Sequence, residues 1–196
     1  KPYTFPKNKK SRIDGNMEEQ MKKITLHSEL IYILATLILS FSSAMQTAAD
    51  LGISMIIAPA YIVSQKLTFL TFGQSEYLVQ GLVFIAFCVL MKGFKPVYLA
   101  SFGTALFYGA ALDMWRTVIP AFNQSVTVPG SMPMPVRIAM LGSGMIITAI
   151  AVALFFHTYL YPQVYDFFVR EVSKRYKKDR TKFKIAFDTS CLVLAV

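Results

Sequence analysis

Four acidic side chains lie within or directly beside long apolar stretches of this 196-residue chain, namely Asp50, Glu76, Asp113 and Asp188. An ionisable side chain at the centre of a lipid bilayer costs about 2.5–3.5 kcal/mol on insertion scales, so each of these acids needs a structural or functional reason. A carboxylate in such a place can bind a proton, a metal cation or an ammonium group, which is the chemistry of ion and solute pathways. What these acids do depends on the segments that hold them.

The composition predicts that these segments lie in a membrane. Hydrophobic residues make up 55% of the chain and charged residues 16%, and the mean hydropathy is +0.48, all of which depart from an average soluble domain. The net charge is +9, but seven of the 20 basic residues lie in residues 1–23 and eight in residues 170–184. Basic clusters that flank apolar runs are typical of membrane topology determinants. We therefore predict no nucleic-acid partner.

The apolar runs predict a single transmembrane domain, residues 25–196, preceded by a basic cytoplasmic tail, residues 1–24. A helix needs about 20 apolar residues to cross a bilayer. The predicted spans cover about 28–49, 76–93, 96–117 and 135–160, with an incomplete span at 183–196. Because that last run is too short to cross, we expect the protein to continue beyond it. The predicted fold is an all-α membrane protein, a compact bundle of about five to six transmembrane helices.

Two further segments are expected to be helical without crossing. Residues 51–67 are apolar but contain Pro59, and a proline inside a helix costs about 3 kcal/mol, so we predict a half-helix or re-entrant segment. Residues 162–178 carry apolar side chains at helical spacing and basic ones on the other sides, which is typical of an amphipathic helix on the membrane surface. Its expected contact is anionic lipid, and the alternative is a cytoplasmic partner subunit.

The basic residues also predict the orientation. If residues 51–67 do not cross, the tail, the turn with Lys92 and Lys95, and the 170–184 cluster share one side, which the positive-inside rule makes cytoplasmic. If residues 51–67 do cross, the turn and the cluster move outside. The first arrangement agrees with the rule and predicts a cytoplasmic N-terminus.

A short element occurs twice, as "IVSQKL" at 62–67 and "EVSKRY" at 171–176. Each copy follows a span and a short helix and precedes a polar turn and another apolar run. In the predicted orientation one short helix lies outside and the other inside. This is the arrangement expected of an inverted repeat.

The chain resembles the YczE/YitT-like bacterial integral membrane proteins over roughly residues 25–196. The resemblance is carried by "ADLGIS" (49–54), "LTFG" (70–73), "SFGTALFYGAALDMW" (101–115) and "YPQVYDFFVREVSKRYKKDRTKFKIAFD" (161–188). Two features depart from that pattern: Met55 stands where a proline is common, and the Gly-rich final span is missing. The resemblance implies a bundle of about six helices in a bacterial inner (cytoplasmic) membrane, with transport as a conjectured activity.

The candidate solute-binding residues follow from this topology. Asp50, Glu76 and Asp113 fall toward the outer side and Asp188 toward the inner side. We expect an outward-facing polar cavity built from Gln46, Asp50, Ser54, Gln80 and Asp113, with Glu76 and Asp188 as further candidate carboxylates. Two plainer arrangements stay open. Asp113 could pair with Arg116 near the interface, and Asp50 and Glu76 could stand at helix starts, where the helix dipole stabilises an acid.

These residues favour a small-solute or ion transporter, or its membrane-embedded solute-binding subunit. The alternative is a non-transporting scaffold or partner subunit of a larger membrane complex or homo-oligomer, which would present a small-residue surface at Ala100, Gly103, Ala110 and Gly142. No enzyme motif is found, and neither catalysis nor a cofactor is predicted. Metal binding is not predicted either, because His27 and His157 lie 130 positions apart without a further ligand at suitable spacing.

Overall fold

The computed structural model describes residues 7–91, 97–123, 130–156, 158 and 164–194, and the side chains within these ranges except at 7–27, 97–100 and 156. These residues form seven α-helices and no strand, which confirms the all-α fold for this part of the chain. The helices are α1 (Lys7–Ala49), α2 (Ala58–Lys66), α3 (Phe72–Met91), α4 (Val97–Val118), α5 (Met134–Phe156), α6 (Val164–Arg175) and α7 (Arg180–Leu194). One turn of 3-10 helix, Pro120–Phe122, follows α4.

Three helical segments are long and apolar enough to cross a membrane: Ser28–Ala49 of α1, Phe72–Met91 and Met134–Phe155. On α3 and α5, large apolar side chains such as Ile85 and Ile146 are exposed, as expected of helices that face lipid. The fold is therefore that of a helical membrane protein by length and composition. Crossing by α4, which has 22 residues and carries Asp113 and Arg116 in its last turns, stays a prediction.

The short helices explain where the chain turns. Pro59 is the second residue of α2, where a proline's missing N–H has no helical partner to lose, so it begins this helix instead of breaking one. The nine residues of α2 rise about 14 Å, well short of a bilayer core of about 30 Å. At the N-terminus, α1 extends back to Lys7 through most of the predicted tail. The predicted basic turn with Lys92 and Lys95 lies outside the described residues.

Side-chain contacts fix how the helices pack. In the antiparallel pair α1 and α5, the rings of Tyr32 and Phe155 stand 5.5 Å apart, and Gln46 bonds Thr148 at 2.8 Å. Helix α6 lies along α3: the Phe87 and Phe167 rings are 5.3 Å apart.

The position of α6 differs from that of a helix lying alone on lipid. Its apolar side chains, including Val164, Phe168 and Val172, are buried against the bundle, and the Tyr176 hydroxyl that follows the helix donates to the Leu90 carbonyl at 3.1 Å. The exposed side carries Lys174 and Arg175. Contact of these basic side chains with lipid headgroups stays a prediction.

Candidate functional site

Asp113 serves the backbone of a neighbouring helix. Its Oδ1 atom accepts the Gly73 N–H at 2.8 Å and its Oδ2 atom accepts the Thr71 hydroxyl, so the carboxylate caps the start of α3 from the end of α4. The helices meet closely here, because a Cβ atom at Gly73 would lie 2.1 Å from the Gly109 carbonyl oxygen. Both carboxylate oxygens are thus occupied. Asp113 also interacts electrostatically with Arg116, the pairing that the sequence left open, but its direct hydrogen bonds among the described residues go to the start of α3.

Asp50 lies at the C-terminal end of a helix, whereas Asp113 caps an N-terminal end. Asp50 follows the last residue of α1 with φ 51°, so it stands at a helix C-terminus and not at a helix start, the alternative that the sequence left open. Arg137 of α5 binds this end: its Nε atom donates to the Ala49 carbonyl at 2.8 Å, and its Nη2 atom lies 3.1 Å from the Asp50 carboxylate. The guanidinium therefore satisfies a carbonyl that the helix leaves open.

Gln46 and Ser54 do not approach these acids. The Gln46 amide donates to Thr148, and the side chain fills the space beside Gly144, where a Cβ atom would lie 2.7 Å from the Gln46 Cγ atom. Ser54 is exposed in the segment between α1 and α2. Gln46 therefore packs between α1 and α5, Ser54 lies at the surface, and the two do not share a polar cavity.

Glu76 and Gln80 form a buried polar pair. They lie one turn apart on α3, both are fully buried, and the Gln80 Nε2 atom donates to the Glu76 Oε1 atom at 3.0 Å. Phe72 and Ser75 occupy the same buried stripe of the helix. A carboxylate accepts and cannot donate, so this orientation of the amide turns the Gln80 oxygen away from Glu76.

Two tyrosines that sequence reasoning missed face this pair. Tyr108 of α4 and Tyr165 of α6, both buried, each lie close enough to Glu76 to interact with it electrostatically. The Tyr108 hydroxyl donates to the Ser43 hydroxyl of α1 at 2.8 Å. Side chains from three helices, α3, α4 and α6, therefore surround one carboxylate, and Tyr108 links them to α1. Periodicity predicts that such tyrosines are buried, but not which distant residue they meet.

Several buried polar atoms of Glu76 and of its neighbours in the sequence or in space have no hydrogen-bond partner among the described residues. They are Ser75 Oγ, Glu76 Oε2, Gln80 Oε1 and Tyr165 Oη, all buried. The Tyr165 hydroxyl and the Glu76 carboxyl group are close enough for a weak hydrogen bond, but their contact does not meet the geometry of a normal one. A buried polar group without a partner costs about 1–3 kcal/mol, so native proteins rarely leave several together unless a water, ion or ligand joins them. We call Ser75, Glu76, Gln80 and Tyr165 the Glu76 site.

A cavity of about 300 Å³ opens where α2 ends, α3 begins and α4 ends. We call it the Thr71 cavity. Residues lining it include Ser64, Thr71, Phe72, Asp113, Arg116 and Asn123. Of the seven candidate solute-binding residues, only Asp113 lines this described cavity, and its oxygens serve the α3 cap.

The seven candidates therefore separate in space. Glu76 and Gln80 meet, Gln46 and Asp50 bind α5, Asp113 caps α3, and Ser54 is exposed. Asp188 lies on α7 one turn from Cys191, which itself interacts with Tyr165; the Asp188 Oδ1 atom is buried without a partner in the described structure. Within those residues no group of three potential metal ligands is found. His157 and the side chain of His27 lie outside them.

The chain belongs to the family described as "Family of unknown function (DUF6198)", which matches residues 26–196. Comparison with the curated proteins and with the solved structures gives no match. The matched range contains all seven candidate residues and the Glu76 site. The resemblance to YczE/YitT-like proteins is not tested by this match and stays a prediction.

Proposed function

We propose that this member of the DUF6198 family moves a small cation across a membrane and that Glu76 is the carboxylate that binds it. The observation that carries the proposal is the complete burial of Glu76 within α3, a helix apolar enough to cross a membrane, with no cationic partner among the described residues. An isolated buried carboxylate is costly, and in membrane proteins such groups commonly serve transport of protons, ions or amines.

The hydrogen-bond acceptors of the site that have no partner favour a solute that is a cation or carries several hydrogen-bond donors. Glu76 Oε2 and Gln80 Oε1 can only accept hydrogen bonds or coordinate a cation, and the Ser75 and Tyr165 hydroxyls can accept as well. A proton, a monovalent metal ion or an ammonium group would satisfy these oxygens, whereas an anion would be repelled by the negative charge of the carboxylate. We therefore propose the cation class over the anion class.

An inverted repeat would place Glu76 where transporters bind their solutes. Val63 and Val172 of the repeated element are 109 residues apart, and the same offset brings α1, α2 and α3 onto α5, α6 and α7. The end of α1, both ends of α2 and the start of α3 then agree with their counterparts within about three residues, whereas α1 extends further back than α5 and α3 extends further forward than α7. The packing has matching symmetry: α1 packs on α5, and α2 and α6 each pack on both α3 and α7. Glu76 belongs to the first half and Tyr165 to the second. Solute sites of repeat transporters lie at such interfaces.

The proposal includes the cellular setting. A bacterial inner membrane, a cytoplasmic N-terminus, a bundle of about five to six crossings and anionic lipid at the basic side of α6 follow from the hydropathy, the basic clusters and the YczE/YitT-like resemblance. The proposal that Glu76 binds a cation does not depend on these features.

Flux through reconstituted vesicles tests this function. Purified protein is placed in liposomes that hold a pH-sensitive dye, and Na⁺, K⁺ or methylammonium is added outside, with valinomycin and potassium setting a voltage in separate runs. We expect a cation-dependent or voltage-dependent pH change that Glu76→Gln abolishes. Glu171→Gln is the matched control, since Glu171 is partly exposed and pairs with Arg170. Equal flux in Glu76→Gln and wild type would contradict the proposal.

One observation favours the alternative of a scaffold or partner subunit. Gly103 and Gly142, two residues of the expected small-residue surface, are exposed, with nothing within 4 Å of a Cβ atom built on either, and Ala110 is also exposed. The side chain of Ala100 is outside the described residues. Purification with a stoichiometric partner that Gly103→Leu releases would support this alternative, and flux by the chain alone would count against it.

A further inference from the structure

Phe72 connects the Thr71 cavity to the Glu76 site along α3. Phe72 lines the cavity, yet only 1% of its surface is exposed. Glu76 follows four residues later on the same face of α3, a rise of about 6 Å along the helix axis. The ring of Phe72 also belongs to the buried cluster that contains Tyr108, a neighbour of Glu76. Phe72 thus forms part of the cavity wall one helical turn before the buried carboxylate.

Two contacts hold the Phe72 ring in this place. The Tyr61 ring of α2 meets it edge-on at a centroid distance of 5.6 Å, and the Arg116 guanidinium of α4 lies 5.4 Å from its centroid. Arg116 also donates from Nε to the Phe122 carbonyl at 3.3 Å. Tyr61 and Arg116 come from α2 and α4, two helices that flank the cavity, so the position of the ring depends on both helices.

We propose that the Thr71 cavity is the entrance to the Glu76 site and that Phe72 is the side chain that closes it. The use of this entrance rests on the proposed cation transport, whereas the closure rests on geometry alone. Hydroxyl and amide groups from Ser64, Thr71 and Asn123 line the entrance and can replace part of the water shell of a small cation or amine. An apolar ring below them blocks water until it moves.

Thiol labelling behind the ring tests the closure. Ser75→Cys is the reporter, because Ser75 is fully buried one turn below Phe72 and cysteine is close to serine in size. Cys88 and Cys191 are first changed to serine. The probe is the small cationic reagent methanethiosulfonate ethylammonium, applied to purified protein in detergent and followed by intact mass. We expect Phe72→Ala to raise the labelling rate at least about tenfold, since thiol reactivity follows exposure.

Phe87→Ala is the matched control for lost packing. Phe87 is a phenylalanine of α3 that is also 1% exposed, but it packs on α6 and does not line the cavity. We expect labelling in this control to stay near the wild-type rate. An equal rise in both variants, or no rise in Phe72→Ala, would overturn the proposal. If Phe72→Ala aggregates on size exclusion, Phe72→Leu carries the same test, with a rise of at least about threefold expected from the smaller loss of side-chain volume.

The outcome is separable from that of the proposed function. Faster labelling in Phe72→Ala combined with unchanged flux in Glu76→Gln would keep the entrance and remove the cation transport. Flux lost in Glu76→Gln without faster labelling in either phenylalanine variant would keep the transport and overturn Phe72 as the closing side chain.

Discussion

The Asp113 carboxylate accepts the Gly73 backbone N–H at 2.8 Å across 40 residues of sequence, and it binds the Thr71 hydroxyl with its second oxygen. This contact joins the last turns of α4 to the first turn of α3. Asp113 is therefore a helix cap. Its residue type and its place in an apolar segment would equally suit an acid that binds a solute. Asp113 and Glu76 are both acids of the α3–α4 pair, yet only Glu76 has an open carboxylate oxygen.

The cap predicts that Asp113 variants lose stability and not transport. Asp113→Ala removes both acceptors and should lower the free energy of unfolding by about 1–2 kcal/mol, the usual cost of losing a cap. Asp113→Asn keeps one acceptor oxygen and should lose less. Thermal unfolding in detergent measures the difference. Wild-type stability together with lost cation flux would show that Asp113 binds the solute instead.

The close approach of α3 and α4 predicts opposite effects for two glycine substitutions. Gly73→Ala places a Cβ atom 2.1 Å from the Gly109 carbonyl oxygen, so the helices must separate, and we expect a loss of about 1–3 kcal/mol. Gly103→Ala meets nothing within 4 Å and should be neutral or stabilise α4 by up to about 1 kcal/mol. The two variants are compared by their unfolding midpoints. Equal midpoints would contradict this packing.

The end of α1 predicts a ranking of two variants of its ion pair. Arg137→Ala removes the bond to the Ala49 carbonyl as well as the pair with Asp50, so we expect a loss of about 1.5–3 kcal/mol, typical of hydrogen bonds from a charged group. Asp50→Asn removes only the exposed ion pair and should cost about 0–1 kcal/mol. Chemical unfolding of both variants tests the ranking, and a larger loss in Asp50→Asn would reverse our assignment.

Much of the fold could be predicted because its information is local. The predicted spans 28–49, 76–93 and 135–160 agree within about four residues with Ser28–Ala49, α3 and α5, since apolar runs and polar or proline-rich breaks mark their ends. Glu76 and Gln80 could be selected because polar residues in an apolar helix are unusual. The start of the short helix α2, whose second residue is Pro59, also follows from the chemistry of proline.

The rest depends on which helix faces which, and a single sequence does not contain that information. The sequence of the apolar face of α6 is compatible with contact to lipid or to protein. The contact of Phe167 with Phe87 shows that this face packs on α3. Tyr108 and Tyr165 could be expected to be buried, but their approach to Glu76 joins residues 32 and 89 positions away. Likewise, the sequence alone makes Asp113 a candidate for solute binding, and only the structure shows that it accepts the Gly73 N–H.

Carbodiimide labelling of Glu76 tests the central claim most directly. Dicyclohexylcarbodiimide modifies protonated carboxyl groups in apolar surroundings, and peptide mass spectrometry locates the product. We predict modification at Glu76 that falls as the pH rises or when Na⁺, K⁺ or methylammonium is added in place of choline, because the proton or cation that binds the carboxylate sets its reactivity. No modification at Glu76, or modification that is the same at every pH and with every cation, would contradict the account.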